Sequence, residues 1–335
     1  MRFPLRDWID AHRDARFDLA SSGMRGSIAA PRWPPGRPNP EVGEELATEL
    51  ADHLAVDRRR LFLAHGASEA NGWVLGFLAR DARPGGRTAR VELPEYPPLF
   101  EAARCLGFRV RSDRAPAGLA IVSRPRNPEG DLWPPRRLDR FGRDAHQLVV
   151  DETFREFARV PSVAAAGLPG RWATGTFTKF FGGDDVRVGW AVAPPEAVDP
   201  FARYVGLLSD ELAPASAAAA LDLLGNLPGV RRAVRRVVEP NRRALRAAFP
   251  GSRDVVAPLW FDRQDGANGR QLAERCLAAS ILVCPGDLFG DPTGVRLTLT
   301  RRDFPASLRA YRAVRDGRRA GSARRPGVRP LDRPG

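Results

Sequence analysis

From residue 41 onward, short apolar runs alternate with stretches whose apolar residues recur every three or four positions. The segment "EVGEELATELADHL", residues 41–54, has helical spacing and follows Asn39-Pro40, a helix-start signal. Short apolar runs predict strands over 61–64, 89–93, 108–111, 119–123, 147–151, 171–176 and 188–193. Between them, helices are predicted over 68–80, 97–106 and 135–143. Strands that alternate with helices imply an α/β fold, with a mainly parallel central sheet flanked by helices. Further helices are expected near 195–210, 214–225 and 228–248. A final α/β section follows, with strands near 257–262, 281–284 and 294–299 and helices near 268–279 and 303–315. Residues 17–40 are rich in Gly, Pro and Ser and predict an extended arm.

The 335-residue length and 43% hydrophobic content allow a large core and suggest two units. No run approaches a membrane span, and "MRFPLRDWIDAHRD" lacks the apolar stretch of a signal peptide. Three widely spaced cysteines without a C-x-x-C pair fit a reducing, cytoplasmic setting. Four scattered histidines form no ligand pattern, so no metal site is expected. The net charge of +13 raises the question of polyanions. Residues 316–335 hold six Arg against two Asp among Gly and Pro, and read as a basic disordered tail. Nucleic acid is not expected as a partner beyond that tail, because no recognised nucleic-acid module is present.

Lys179 is the single lysine of the chain; every other basic Lys/Arg residue is arginine. An arginine there would keep the charge, but only an amine can lose its proton and attack a carbonyl. Four other segments follow predicted strands, where ligands of parallel sheets bind. "HGASEAN", residues 65–71, offers small residues at a helix start, suited to a phosphate or to a simple cap. "ELPEYPPLF", residues 92–100, presents Tyr96 after a strand, to stack on a flat ring or to pack in the core. "SRPRNPEG", residues 123–130, forms a turn carrying Asn127. "LVVDETF", residues 148–154, ends an apolar strand on Asp151, an acid that needs a positive partner or water. "TGTFTKFFGGDDVRVGW", residues 174–190, adds Thr176 and Arg187 around Lys179.

Together these segments resemble the class I/II aminotransferase family, the fold-type I pyridoxal 5'-phosphate (PLP) enzymes, over about residues 20–315. The most specific element is T-x-x-K with Arg eight residues after the lysine, then G-W. The resemblance implies PLP as cofactor, with Lys179 forming its Schiff base and moving the proton. It implies that Asp151 faces the pyridine nitrogen, Tyr96 stacks on the ring and Asn127 donates to its 3-oxygen. Ala67, Ser68, Thr176 and Arg187 would hold the phosphate, Arg296 the substrate carboxylate, and the segment around Gly23 would cover the substrate. The family architecture implies an arm over 1–39 joining the small domain, a large PLP-binding domain over 40–230, and a small domain over 231–315. It also implies a homodimer. Phe154 stands where the family usually has a tyrosine, and no tyrosine lies in the arm. The expected activity is transfer of an α-amino group between an amino acid and a 2-oxo acid. Phosphothreonine decarboxylases, C–S lyases and histidinol-phosphate aminotransferases share this pattern. A lyase or decarboxylase is therefore the alternative on the same scaffold. A non-catalytic or nucleic-acid-binding protein on a degenerate scaffold is the alternative from another class.

Overall fold

The computed structural model describes residues 4–29, 41–80, 87–264, 266 and 268–317. The expected basic tail lies outside these residues from position 318 onward, as do arm residues 30–40. The chain opens with α1 (Pro4–Ala11), β1 (Phe17–Asp18), α2 (Val42–Leu54), β2 (Leu61–Ala64), α3 (Ala67–Arg80) and β3 (Thr88–Val91). It continues through α4 (Pro97–Cys105), β4 (Arg109–Arg111), β5 (Ala117–Ser123), α5 (Pro135–Gly142), β6 (Ala145–Asp151) and α6 (Arg155–Ala158). Then come β7 (Arg171–Thr176), β8 (Gly189–Val192), α7 (Val198–Val205), α8 (Pro214–Gly225) and α9 (Leu227–Ala248). The last elements are β9 (Leu259–Arg263), α10 (Gly269–Ala278), β10 (Ile281–Leu282), β11 (Cys284–Pro285), β12 (Gly294–Thr298) and α11 (Phe304–Arg315).

Seven strands form the central sheet in the order β2-β8-β7-β6-β5-β3-β4. All pairs are parallel except the two made by β8, which runs against both β2 and β7. The carboxyl ends of β2, β3, β5, β6 and β7 therefore share one edge with the amino end of β8. Side chains alternate across this sheet. Along β7, Trp172 packs with Trp73, Phe77 and Phe201 on one face, while Ala173 packs with Leu46, Val188 and Ala217 on the other. Both faces are covered, so the strands read as apolar throughout. Each large side chain buried this way contributes about 1.5–3 kcal/mol.

Two expectations change in detail. The helix expected near 195–210 is a short turn over Pro195–Ala197 followed by α7, which ends at Val205. The strand expected near 281–284 divides, because β10 pairs parallel with β1 while β11 pairs antiparallel with β12. The β1–β10 pair sets the N-terminal segment in place: Leu19 N donates to Leu282 O (2.8 Å) and Thr298 N donates to Leu19 O (2.8 Å). Helix α1, which the apolar pattern did not single out, buries Leu5 and donates from Trp8 Nε1 to Val283 O (2.9 Å).

Candidate active site

Lys179 lies in the loop between β7 and β8, on the shared edge of the sheet. Its carbonyl accepts from Met24 N (3.1 Å), so the N-terminal segment passes directly over it. The side chain is only partly shut off from solvent, yet the surrounding protein lowers its pKa from the ordinary lysine value. Burial is the largest cause; Asp184 opposes it, and Arg296, Arg6 and Arg187 add to it. A lysine shifted this way has more of the neutral amine that accepts a proton.

Asp151 ends β6 and is 3% exposed. Its Oδ1 accepts from Thr153 N (2.8 Å) and its Oδ2 from Asn71 Nδ2 (3.0 Å). Asn71 is held in turn by Thr174 Oγ1, which donates to its Oδ1 (2.7 Å). Burial raises the Asp151 pKa despite these bonds and the opposing charge of Lys179, and Asp151 makes no ion pair among the described residues. Asn71 escaped the sequence reading, although it sits one helical turn past Ala67 on the buried face of α3.

Tyr96 and Asn127 are tied together by a buried acid that sequence reasoning also missed. Glu95 is fully buried and accepts from Tyr96 N (2.6 Å), Ser123 N (2.8 Å), Ser123 Oγ (2.6 Å) and Arg126 Nη1 (2.6 Å). Ser123 Oγ accepts from Asn127 N (2.8 Å), which fixes the β5 turn against the β3 turn. Burial, with the charge of Asp151, pushes the Tyr96 phenol up to about 12. The amide oxygen of Asn127 accepts from Arg296 Nη1 (3.2 Å), which leaves its amino group as a donor. Arg296, 2% exposed, also donates from Nη2 to Ala20 O (2.6 Å). Its guanidinium meets no carboxylate among the described residues, and its Nε has no partner there.

The phosphate candidates meet at the turn from β2 to α3. Ala67 and Ser68 open the helix, where the first backbone N–H groups have no acceptor within it. Glu69 reaches back to His65 N (2.6 Å), so the acid rather than Ser68 closes the turn. Gly66 has φ +106°, and a Cβ there would lie 3.5 Å from Arg187 Nη2. Arg187 itself holds φ +56° and makes no ion pair among the described residues. Such an uncommon conformation for arginine fits a residue aimed by its surroundings. Thr176 Oγ1 donates to Val188 O (3.0 Å), so its hydroxyl is engaged within the protein. A Cβ on Gly189 would lie 2.7 Å from both Ala67 N and Gly175 O, which shows how tightly the turn rests on β8. Phe154 is buried in an apolar cluster with Ala257 and Leu259.

These groups fit PLP. A buried carboxylate without a cation would meet the ring nitrogen, and an unpaired guanidinium beside a helix start would meet the phosphate. The fold is that of the fold-type I PLP enzymes. It aligns with a PLP-dependent aminotransferase from Streptococcus suis at a TM-score of 0.76, with 16% identity over 97% of this chain and 99% of that one. Residues 109–301 match the family model for aminotransferase class I and II, and the chain belongs to that family. It is similar to the histidinol-phosphate aminotransferase of Geotalea uraniireducens, 28% identical over 82% of this chain and 86% of that protein. It is 31% identical to the aromatic amino acid aminotransferase of Nocardia farcinica over 64% of this chain and 61% of that protein. The chain is thus a PLP-dependent aminotransferase, and neither the lyase reading nor a non-catalytic scaffold is favoured. No described helix is long and apolar enough to cross a membrane, and the described residues hold no metal-ligand cluster.

Proposed function

We propose that Arg296 holds the carboxylate of an amino acid while Lys179 moves the proton that accompanies amino transfer to a 2-oxo acid. The observation that carries this is the Arg296 guanidinium, buried against neutral acceptors under the N-terminal segment with no carboxylate of its own. A buried cation without an anion is costly unless a ligand completes it. PLP, when bound, supplies a ring that stabilises the negative charge left on the substrate carbon. Asp151 would hold the ring nitrogen in its charged form, with Asn71 and Thr153 aiming the carboxylate. Tyr96 would pack against the ring, and the Asn127 amino group would donate to the ring oxygen. Ala67 and Ser68 N–H groups and Arg187 would hold the phosphate, joined by Thr176 once its hydroxyl leaves Val188. Lys179 Nζ would take the proton from the substrate carbon and return it at the far side of the same bond system. Gly23 and its neighbours would exclude water above it.

We infer that the chain works as a homodimer in the cytoplasm, with arm residues 1–39 and residues 231–315 forming the smaller unit beside residues 40–230. Leu207 and Leu208, 84% and 55% exposed after α7, support an apolar contact with a second copy. Light scattering of the purified chain tests the dimer.

The activity test uses single turnovers of the PLP-loaded chain. Amino acids should bleach the cofactor's visible band, and a 2-oxo acid should restore it. Arg296→Met should require roughly a hundredfold more amino acid, the worth of a charge-assisted carboxylate contact. Equal bleaching of both proteins at the same amino acid concentration would overturn the assignment. A second reading, a phosphorylated amino substrate, is favoured by the charge of Arg6, which acts on both Tyr96 and Lys179 although its guanidinium also pairs with Asp10 at 2.8 Å. Under that reading the phosphorylated amine would outcompete the plain amino acids in the same assay.

A further inference from the structure

The guanidinium of Arg296 is held on several sides, and one of the groups holding it is a thiol. Cys284 on β11 stands directly across from Arg296 on β12, so their side chains leave the same face of the three-stranded sheet β11-β12-β9. Both residues are buried. Arg296 Nη2 donates to Cys284 Sγ (3.2 Å) as well as to Ala20 O (2.6 Å), while Nη1 donates to Asn127 Oδ1 (3.2 Å). Sγ in turn makes a long contact as donor to Ala20 O (3.9 Å), which ties the thiol to the N-terminal segment. The Phe289 ring lies against the guanidinium, its centre 5.0 Å from Arg296 Cζ. Both protons of Nη2 are thereby engaged. One proton of Nη1 is left over, and so is Nε, which is buried without a partner among the described residues.

We propose that Cys284 is a positioning residue for substrate recognition: its sulfur pins Arg296 Nη2 beside the N-terminal segment and leaves the remaining donors to the carboxylate of the amino acid. The proposal rests on the reading of Arg296 as the carboxylate site and adds the residue that aims it. An arginine side chain has many rotamers, and ordering it before the substrate arrives removes that cost from binding. A thiol suits the task because sulfur is a weak acceptor that brings no charge. A carboxylate at the same place would satisfy the guanidinium from within the protein and compete with the substrate. Burial keeps the thiol neutral, raising its pKa although the charge of Arg296 opposes the rise.

A double-mutant cycle on the full-length, PLP-loaded chain tests this, with L-glutamate and L-phenylalanine as probes and the half-saturating concentration for bleaching as the reading. Cys284→Ala should raise that concentration roughly threefold to tenfold, the worth of one hydrogen bond, with the defect in the concentration needed and not in the limiting rate. Cys284→Ser keeps a neutral acceptor and should recover most of the loss, whereas Cys284→Asp should exceed the loss seen with alanine. In an Arg296→Met background, Cys284→Ala should add no more than about twofold, since the thiol acts through the guanidinium. Calorimetric binding of 3-phenylpropionate, a carboxylate without an amine, should rank the variants in the same order without any turnover. Should Cys284→Ala fail to fold, Cys284→Val fills the site without an acceptor and carries the same expectation. An unchanged concentration in Cys284→Ala, or an equal loss with and without Arg296, would overturn the proposal. A defect in Arg296→Met alone would remove the thiol from recognition and leave the carboxylate site standing. Arg296→Met equal to wild type, or a wild type indifferent to every probe, would refute the carboxylate site and the proposal with it.

Discussion

Replacing Asn71 by alanine tests how far the cofactor site depends on a side chain that would touch no ligand. Asn71 bridges Asp151 and Thr174 through bonds of 3.0 and 2.7 Å, and it is 7% exposed. The bond to a charged carboxylate is worth about 1.5–3 kcal/mol, and the bond from the Thr174 hydroxyl about 1 kcal/mol. Asp151 already has its pKa raised by burial, and losing a donor to its ionised form raises it further. A carboxyl whose folded pKa lies above its unfolded value disfavours folding once the pH passes the unfolded value. The stability deficit of the cofactor-free variant should therefore be largest near neutral pH and shrink in acid, where Asp151 is protonated in both proteins. PLP binding should weaken by about ten- to hundredfold near neutral pH, the factor equivalent to 1.5–3 kcal/mol. Quenching of tryptophan fluorescence by added PLP measures the affinity, and urea midpoints across pH measure the stability. A stability loss with PLP affinity within twofold of wild type would refute the reasoning, because Asp151 would then not need Asn71 to serve the cofactor.

Gly189→Ala should weaken PLP binding more than tenfold, because the added carbon meets backbone atoms of the phosphate turn at Gly66 and Ala67; the same fluorescence titration checks this. Glu156 should report on acid stability. Burial would raise its pKa, but the His53 hydrogen bond, Arg155 and Arg231 outweigh that and hold it at about 2, below the ordinary 4.5. Its contribution of roughly 3 kcal/mol is present above about pH 4.5 and lost as the pH falls toward 2. Glu156→Gln should flatten the pH dependence of thermal melting in that window, and an unchanged slope would contradict the clasp. Phe154→Tyr should lower the pH midpoint of the bound cofactor's visible band if the new hydroxyl reaches the ring oxygen. A midpoint equal to wild type would show that the apolar cluster with Ala257 and Leu259 keeps the ring away.

Much of the fold was legible because apolar spacing is a local property. The strands now seen at Leu61–Ala64 and Arg171–Thr176 coincide with their apolar runs, and α8 and α9 lie where the helical spacing placed them. The antiparallel course of β8 was not legible, since a four-residue apolar run carries no direction. At the site, Lys179, Asp151 and Arg187 stood out because each has a chemistry that its neighbours in sequence make unusual. Their helpers did not. Asn71 is 80 residues from Asp151 and Glu95 is 31 from Arg126, and each alone reads as an ordinary polar residue.

The sequence alone thus determined the residue types that can do the chemistry and the strand ends that carry them. Only the tertiary structure decided which polar groups meet. Strand order brought the turns after β2, β3, β5, β6 and β7 to one edge, and the pairing of Phe17 with Ile281 drew the N-terminal segment over Lys179. The physical reason is that an amine or a carboxylate is written in one residue. The burial and partners that tune it come from long-range contacts, which the register of distant strands sets.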